Sequence, residues 1–164
     1  MPGNTPILHM LCGKIASGKS TLAAKLGTAE GTVTLSEDNW LEHLFADQMS
    51  SSADYVRCSA KLRDAMGPHV VALLNADVSV VLDYPANTLE NRSWMRTILE
   101  QTQADHVLHV LNPPDAVCLE RLHRRNAARD HPFAATEKQF ETFSRHFVLP
   151  TAEEAFKLVE YGAF

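Results

Sequence analysis

Short apolar runs alternate with longer amphipathic stretches along the chain. Ile7 to Cys12 is an apolar run of strand length, and Thr21 to Leu26 reads as a helix ended by Gly27. Gly31 to Leu35 is β-branched and reads as a second strand. A short helix is predicted from Trp40 to about Asp47. Ser51-Ser-Ala-Asp54 has capping-box spacing and opens a long helical stretch to about Ala76, with Pro68 as a kink or break. Asp77 to Leu82 reads as a third strand that delivers Asp83 at its end. Thr88 is the expected N-cap of a helix through about Gln103, and His106 to Leu111 reads as a fourth strand. Asn112-Pro-Pro-Asp115 predicts a helix start, with Asn112 as cap and proline in the first turn. That helix runs through Arg121 and Arg125. A polar stretch from Asn126 to Phe133 follows. Thr136-Glu-Lys-Gln139 is a second capping box, opening a helix to about Phe147. Phe156 to Glu160 alternates and reads as a fifth, edge-like strand.

Strands alternating with helices predict a three-layer α/β fold on a parallel sheet. The chain has 164 residues, enough for one domain with its own core, and no linker or repeat divides residues 1–164. A net charge of −5 gives no general attraction to nucleic acid or anionic membrane. Cys12, Cys58 and Cys118 are odd in number and lack C-x-x-C spacing, so they read as reduced thiols. No apolar run approaches spanning length, and no basic region precedes the first apolar stretch. The expected location is the cytoplasm. Eight histidines suggest no metal site, since His106 and His109 should face opposite sides of a strand.

The most specific feature lies between the first strand and the first helix. Gly13, Gly18, Lys19 and Ser20 stand at the G-x-x-x-x-G-K-[ST] spacing of a phosphate-binding P-loop. The glycines let the backbone approach a phosphate closely. The amides of Gly13, Lys14, Ile15, Ala16, Ser17, Gly18, Lys19, Ser20 and Thr21 are then the expected cradle, helped by the positive end of the following helix. Lys19 supplies a charge for the β- and γ-phosphates, and the Ser20 hydroxyl is a ligand for Mg²⁺.

Three further candidates carry chemistry. Asp38, in Ser36-Glu-Asp-Asn-Trp40, lies where open α/β sheets place their ligands. It reads either as the base that takes a proton from an attacking hydroxyl or as the cap of the next helix. Asp83 ends an apolar strand, the Walker B arrangement for holding Mg²⁺, or else is a solvated loop residue. Tyr84 follows it where hydrolytic motors place glutamate, which favours transfer over hydrolysis. Arg121, Arg125 and Arg129 recur every four residues with Arg124 beside them, either a solvated face or a cover that offsets charge on a transferred phosphoryl group. Trp40 and Trp94 are expected in the core, with a substrate pocket as the other reading.

Taken together, these residues resemble the small P-loop kinases of the AAA-domain-like group, which includes the kinase domain of phage polynucleotide kinase, zeta toxins, chloramphenicol phosphotransferase and gluconate kinases. Beside the P-loop, Leu35-Ser-Glu-Asp-Asn-Trp40 is similar to the segment that carries polynucleotide kinase's general base, at the position of Asp38. Leu82-Asp-Tyr-Pro-Ala-Asn87 with Arg92 resembles the Walker B segment and the polar turn behind it. The stretch from Arg121 to Arg129 resembles the family lid, at about 121–135. Ala152 to Phe156 resembles the approach to the last strand. The resemblance implies a five-stranded parallel sheet in the order 2-3-1-4-5 with a helical lid. Polynucleotide kinase carries an arginine three residues beyond its base, where this chain has Leu41. That departure disfavours a nucleic-acid acceptor.

The expected activity is ATP- and Mg²⁺-dependent transfer of the γ-phosphate to a hydroxyl of a small molecule. In that reading Lys19, Asp38, Arg121 and Arg125 are catalytic, Arg125 also meets the nucleotide, and Ser20 and Asp83 hold the metal. The alternatives are a nucleic-acid 5′-hydroxyl kinase and a nucleotide-binding sensor without an acceptor. A GTPase is disfavoured, because no N-K-x-D sequence occurs. A monomer or homodimer without membrane attachment is expected.

Overall fold

The computed structural model describes residues 3–129 and 134–162. Five strands, β1 (Ile7–Cys12), β2 (Thr32–Ser36), β3 (Ser79–Pro85), β4 (Asp105–Leu111) and β5 (Leu158–Tyr161), form one sheet. Their order is β2-β3-β1-β4-β5 and every neighbouring pair is parallel. This is the α/β order implied by the resemblance. The central strand is apolar on both faces because both are covered: Leu8, Met10, Leu11 and Cys12 are fully buried.

Six helices complete the layers: α1 (Lys19–Leu26), α2 (Glu37–Phe45), α3 (Ser52–Asn75), α4 (Leu89–Leu99), α5 (Asp115–Ala128) and α6 (Glu137–Arg145). On one face, Leu62, Met66, Val70 and Leu74 of α3 and Met95 and Ile98 of α4 pack with Leu8, Met10, Val80, Leu82 and Leu108 of the sheet. On the other face, Leu11 and Val81 pack against Ala23 of α1. Gly27 follows α1 because a Cβ there would lie 2.2 Å from Thr34 Oγ1 of β2. A third small core joins Cys118 and Leu122 of α5 to Phe140 of α6, with Ile15 and Ala16 packed under it. Helices α5 and α6 therefore rest on the loop that follows β1.

Several element boundaries differ from expectation. Helix α2 begins at Glu37, three residues before Trp40, because Ser36 is its cap. Trp40 is consequently exposed on α2, while Trp94 stacks on buried Tyr84 with ring centroids 5.7 Å apart. Pro68 does not break α3, which runs through it as one helix. It lies on the exposed face, where water can satisfy the carbonyl that loses its N–H partner. Asp77 sits in a turn at φ 62°, so β3 starts later and runs past Asp83 to Pro85. Helix α4 stops at Leu99, and turns at Gln101 and Thr102 feed β4. Helix α5 starts at Asp115 with Pro114 at the cap position, so Asn112 caps nothing. Pro114 holds the residue before it extended, and the helix can begin only afterwards. Arg129 lies beyond the last turn at φ 55°, off the arginine stripe. Residues 130–133 of the expected lid lie outside the described residues.

Thr88 and Thr136 cap α4 and α6 as their spacing predicts. Thr136 also receives the reciprocal Gln139 bond of a capping box. At Ser51 the box is offset: its Oγ accepts the Asp54 N–H, but the Asp54 carboxylate reaches Ser50. His109 contacts His9 at 3.0 Å and the Tyr161 hydroxyl at 2.7 Å, while His106 accepts the Lys157 N–H. Burial, and then the His9 charge, lower the His109 pKa to about 4. Among the described residues no helix is long and apolar enough to cross a membrane.

Candidate active site

The β1–α1 loop turns through two left-handed residues, Ala16 at φ 60° and Gly18 at φ 105°. Gly13 is sterically required, since a Cβ would lie 2.3 Å from Ser17 Oγ and 2.8 Å from the Leu111 carbonyl. The Ser17 N–H closes the loop on the Lys14 carbonyl at 3.1 Å. Beyond it the N-terminal turn of α1 begins, and its unsatisfied amides point at the loop mouth.

Lys19 curls back across the loop. Its ammonium donates to the Gly13 carbonyl and, at 3.0 Å, to the Lys14 carbonyl. Burial lowers its pKa, and the charges of Asp83 and Asp38 oppose that shift. Ser20 is exposed one residue on, and its Oγ donates to Asp83 Oδ2 at 3.2 Å. Asp83 reaches this position through an irregularity in β3. Pairing with β1 moves from Met10–Leu82 to Leu11–Pro85, while on its other side Asp83 stays in register with Ser36. Thr21 is exposed in the first turn of α1.

Asp38 sits in the first turn of α2, half-buried. The cap reading for it does not hold, because the Ser36 hydroxyl takes the Asn39 N–H. The Asp38 charge acts on both Lys19 and Arg125. The preceding Glu37 points into the protein, where the Tyr55 hydroxyl and the Arg63 guanidinium hold it. Burial raises the Glu37 pKa.

The arginine stripe divides. Arg121 Nη1 donates to the Ser17 carbonyl at 3.3 Å, joining α5 to the loop. Arg125 is half-buried, and its Nε is enclosed without a hydrogen-bond partner among the described residues. Burial lowers the Arg125 pKa against the pull of Asp38. Arg124 is exposed and pairs with Glu120 at 2.9 Å. Lys14 contributes backbone alone to the cradle, because its ammonium turns to Asp115 at 2.7 Å and lies over the Phe147 ring.

Sequence reasoning missed how the loop is held from behind. Asn87 hydrogen-bonds both ends of the Gly13 residue. Its turn is in turn gripped by Arg92, which is 1% exposed and pairs with Glu154 at 2.6 Å. The signal available was the polar turn after Asp83, with nothing local to show what it touches.

The site can therefore accept an anion at a helix N-terminus with one lysine above it. It also holds two oxygens, Ser20 Oγ and Asp83 Oδ2, spaced for one hard cation. The Asp38 carboxylate on α2 bears electrostatically on both Lys19 and Arg125.

A family profile described as an AAA domain matches residues 8–150. Among solved structures, the chain is similar to a Chloroflexus aurantiacus protein to which a kinase role is ascribed. That match has 21% identity and a TM-score of 0.78, covering 96% of this chain and 88% of the other. It is similar to Chaetomium thermophilum Kti12, solved in complex with ADP-AlF3, at 13% identity and a TM-score of 0.70, covering 95% and 89%. It is also similar to a gluconokinase from Sinorhizobium meliloti, at 18% identity and a TM-score of 0.60, covering 98% and 84%. At these identities the likeness is one of fold. No curated protein matches the chain.

Proposed function

The chain belongs to the AAA domain family and has the fold of its P-loop kinases; from that premise we propose that it transfers the γ-phosphate of ATP to a hydroxyl of a small molecule. The observation that carries the reading is the place of Asp38 in the first turn of α2, coupled electrostatically to Lys19 and to Arg125. The Asp38 charge acts on both cations from α2, which lies beside the loop and not in it. The relative solved with ADP-AlF3 and the gluconokinase support a nucleotide ligand and a small acceptor.

In this mechanism the loop amides and Lys19 hold the phosphates. The acceptor oxygen bonds to the γ-phosphorus as the bond to the β–γ bridging oxygen breaks, and ADP leaves. Asp38 takes the acceptor's proton. Arg125, with Arg121 beside the loop, offsets the negative charge on the transferring group. Ser20 and Asp83 offer the oxygen donors that suit Mg²⁺, which when bound would neutralise phosphate charge.

A small acceptor is favoured over a nucleic-acid 5′-end for a specific reason. Leu41, one turn beyond Asp38, is fully buried in the core, so no cation stands there to meet a backbone phosphate. The experiment is ADP release with Mg²⁺-ATP against hydroxyl-bearing metabolites, antibiotics and 5′-hydroxyl oligonucleotides, with Asp38→Asn as control. Release that depends on a small hydroxyl compound, by the native protein alone, supports the reading, and release with the oligonucleotides alone favours a nucleic-acid kinase. Nucleotide binding without release for any acceptor favours a sensor.

A further inference from the structure

The Asn87 side chain brackets the first residue of the phosphate loop. The Gly13 N–H donates to Asn87 Oδ1 at 2.8 Å, and Asn87 Nδ2 donates to the Gly13 carbonyl at 2.8 Å. Only a carboxamide in this orientation serves both, since a peptide N–H needs an acceptor and a carbonyl needs a donor. The Gly13 carbonyl is also where the Lys19 ammonium rests. One oxygen thus takes hydrogen bonds from both Asn87 and the phosphate-binding lysine.

Asn87 is itself held firmly. Its carbonyl accepts the Val148 N–H at 2.8 Å, and Arg92 donates to the Ala86 and Val148 carbonyls on either side. Glu154 fixes the Arg92 guanidinium from the strap after α6. The Ala86 N–H is bonded to the Leu11 carbonyl of β1 at 2.9 Å. A stiff turn after β3 therefore presents one amide to the Gly13 peptide.

We infer that Asn87 is a positioning residue for nucleotide binding: it fixes the Gly13 peptide, and through the Gly13 carbonyl it sets where the Lys19 ammonium meets the phosphates. Without it, Lys19 still finds the carbonyl, but on a peptide free to rotate. Part of the lysine's binding energy is then spent on ordering the loop. This rests on the nucleotide-binding reading above.

The test is a double-mutant cycle on Mg²⁺-AMPPNP affinity, read by calorimetry, with Asn87→Ala, Lys19→Ala and the pair. Asn87→Ala should weaken binding about tenfold, in the range one lost hydrogen-bonded group gives. In the Lys19→Ala background the same change should cost no more than about twofold, because its effect runs through the lysine. Equal losses in both backgrounds would show a general structural role and overturn the inference, as would unchanged affinity in Asn87→Ala. If Asn87→Ala does not fold, Asn87→Leu replaces it in the cycle, since it keeps the size, adds no charge and removes both hydrogen bonds to Gly13. Failure of the native protein to bind AMPPNP would overturn the nucleotide reading as well, which separates the two.

Discussion

Ser36 caps helix α2, its Oγ accepting the Asn39 N–H at 3.4 Å. The capping work is therefore done two residues before Asp38, and the Asp38 carboxylate can be neutralised without removing the cap. Asp38→Asn should leave the melting temperature and nucleotide affinity near native. Acceptor phosphorylation should fall by about 10² or more, the usual worth of a general base. A melting temperature that drops while turnover holds would return Asp38 to a structural role.

Lys19 is half-buried, its pKa is depressed by burial, and two carbonyls hold its ammonium. Removing it deletes the cation for the phosphates but also deletes a desolvation cost. Lys19→Ala should lose most nucleotide affinity while thermal stability stays the same or rises. Native-like affinity for Mg²⁺-AMPPNP in the variant would defeat the P-loop assignment.

Arg125 and Arg124 are neighbours with opposite surroundings. Arg125 is half-buried near Asp38, and Arg124 is exposed and paired with Glu120. Arg125→Ala should lower kcat much more than it raises the nucleotide KM, because its charge is needed most in the transition state. Arginine-finger losses reach about 10³ to 10⁵, and sharing with Arg121 should make this one smaller. Arg124→Ala should change neither constant. Steady-state kinetics of the pair decide it, and a KM effect alone at Arg125 would make it a binding residue.

His109 gives the fold an acid sensitivity. Its pKa is lowered to about 4 by burial and by His9. The unfolded chain therefore binds the extra proton more readily between about pH 6.5 and 4. The stabilising contribution is fully present above pH 6.5 and is lost as pH falls toward 4, by at most about 3 kcal/mol. Melting temperature should decline over that window, and His109→Gln should flatten the decline. An identical slope in the variant would place the acid sensitivity elsewhere, with His9 the next group to test.

How much of this was legible in the sequence follows from how local each feature is. The five strands, the P-loop and the Thr88, Thr136 and Ser51 caps rest on patterns within a few residues: apolar runs, a glycine spacing, a hydroxyl ahead of a helix. Those patterns act through backbone conformation and periodic burial, so the chain states them directly. The differences are local too. Asn112-Pro113 has the pattern of a helix start, but Pro114 takes the cap position, and Ser36, two residues before Asp38, caps α2.

What only the tertiary structure decided lies across long separations. Ser20 meets Asp83 at a separation of 63 residues, Asn87 meets Gly13 at 74, and Arg92 meets Glu154 at 62. Each depends on the order and register of parallel strands whose crossovers are whole helices, and on the irregularity in β3 at Asp83. An asparagine in a polar turn looks the same in sequence whether it faces water or holds a loop. Its partner is set by where the strands come to lie, since the free energy that aligns them comes from burying the entire sheet and not from the asparagine.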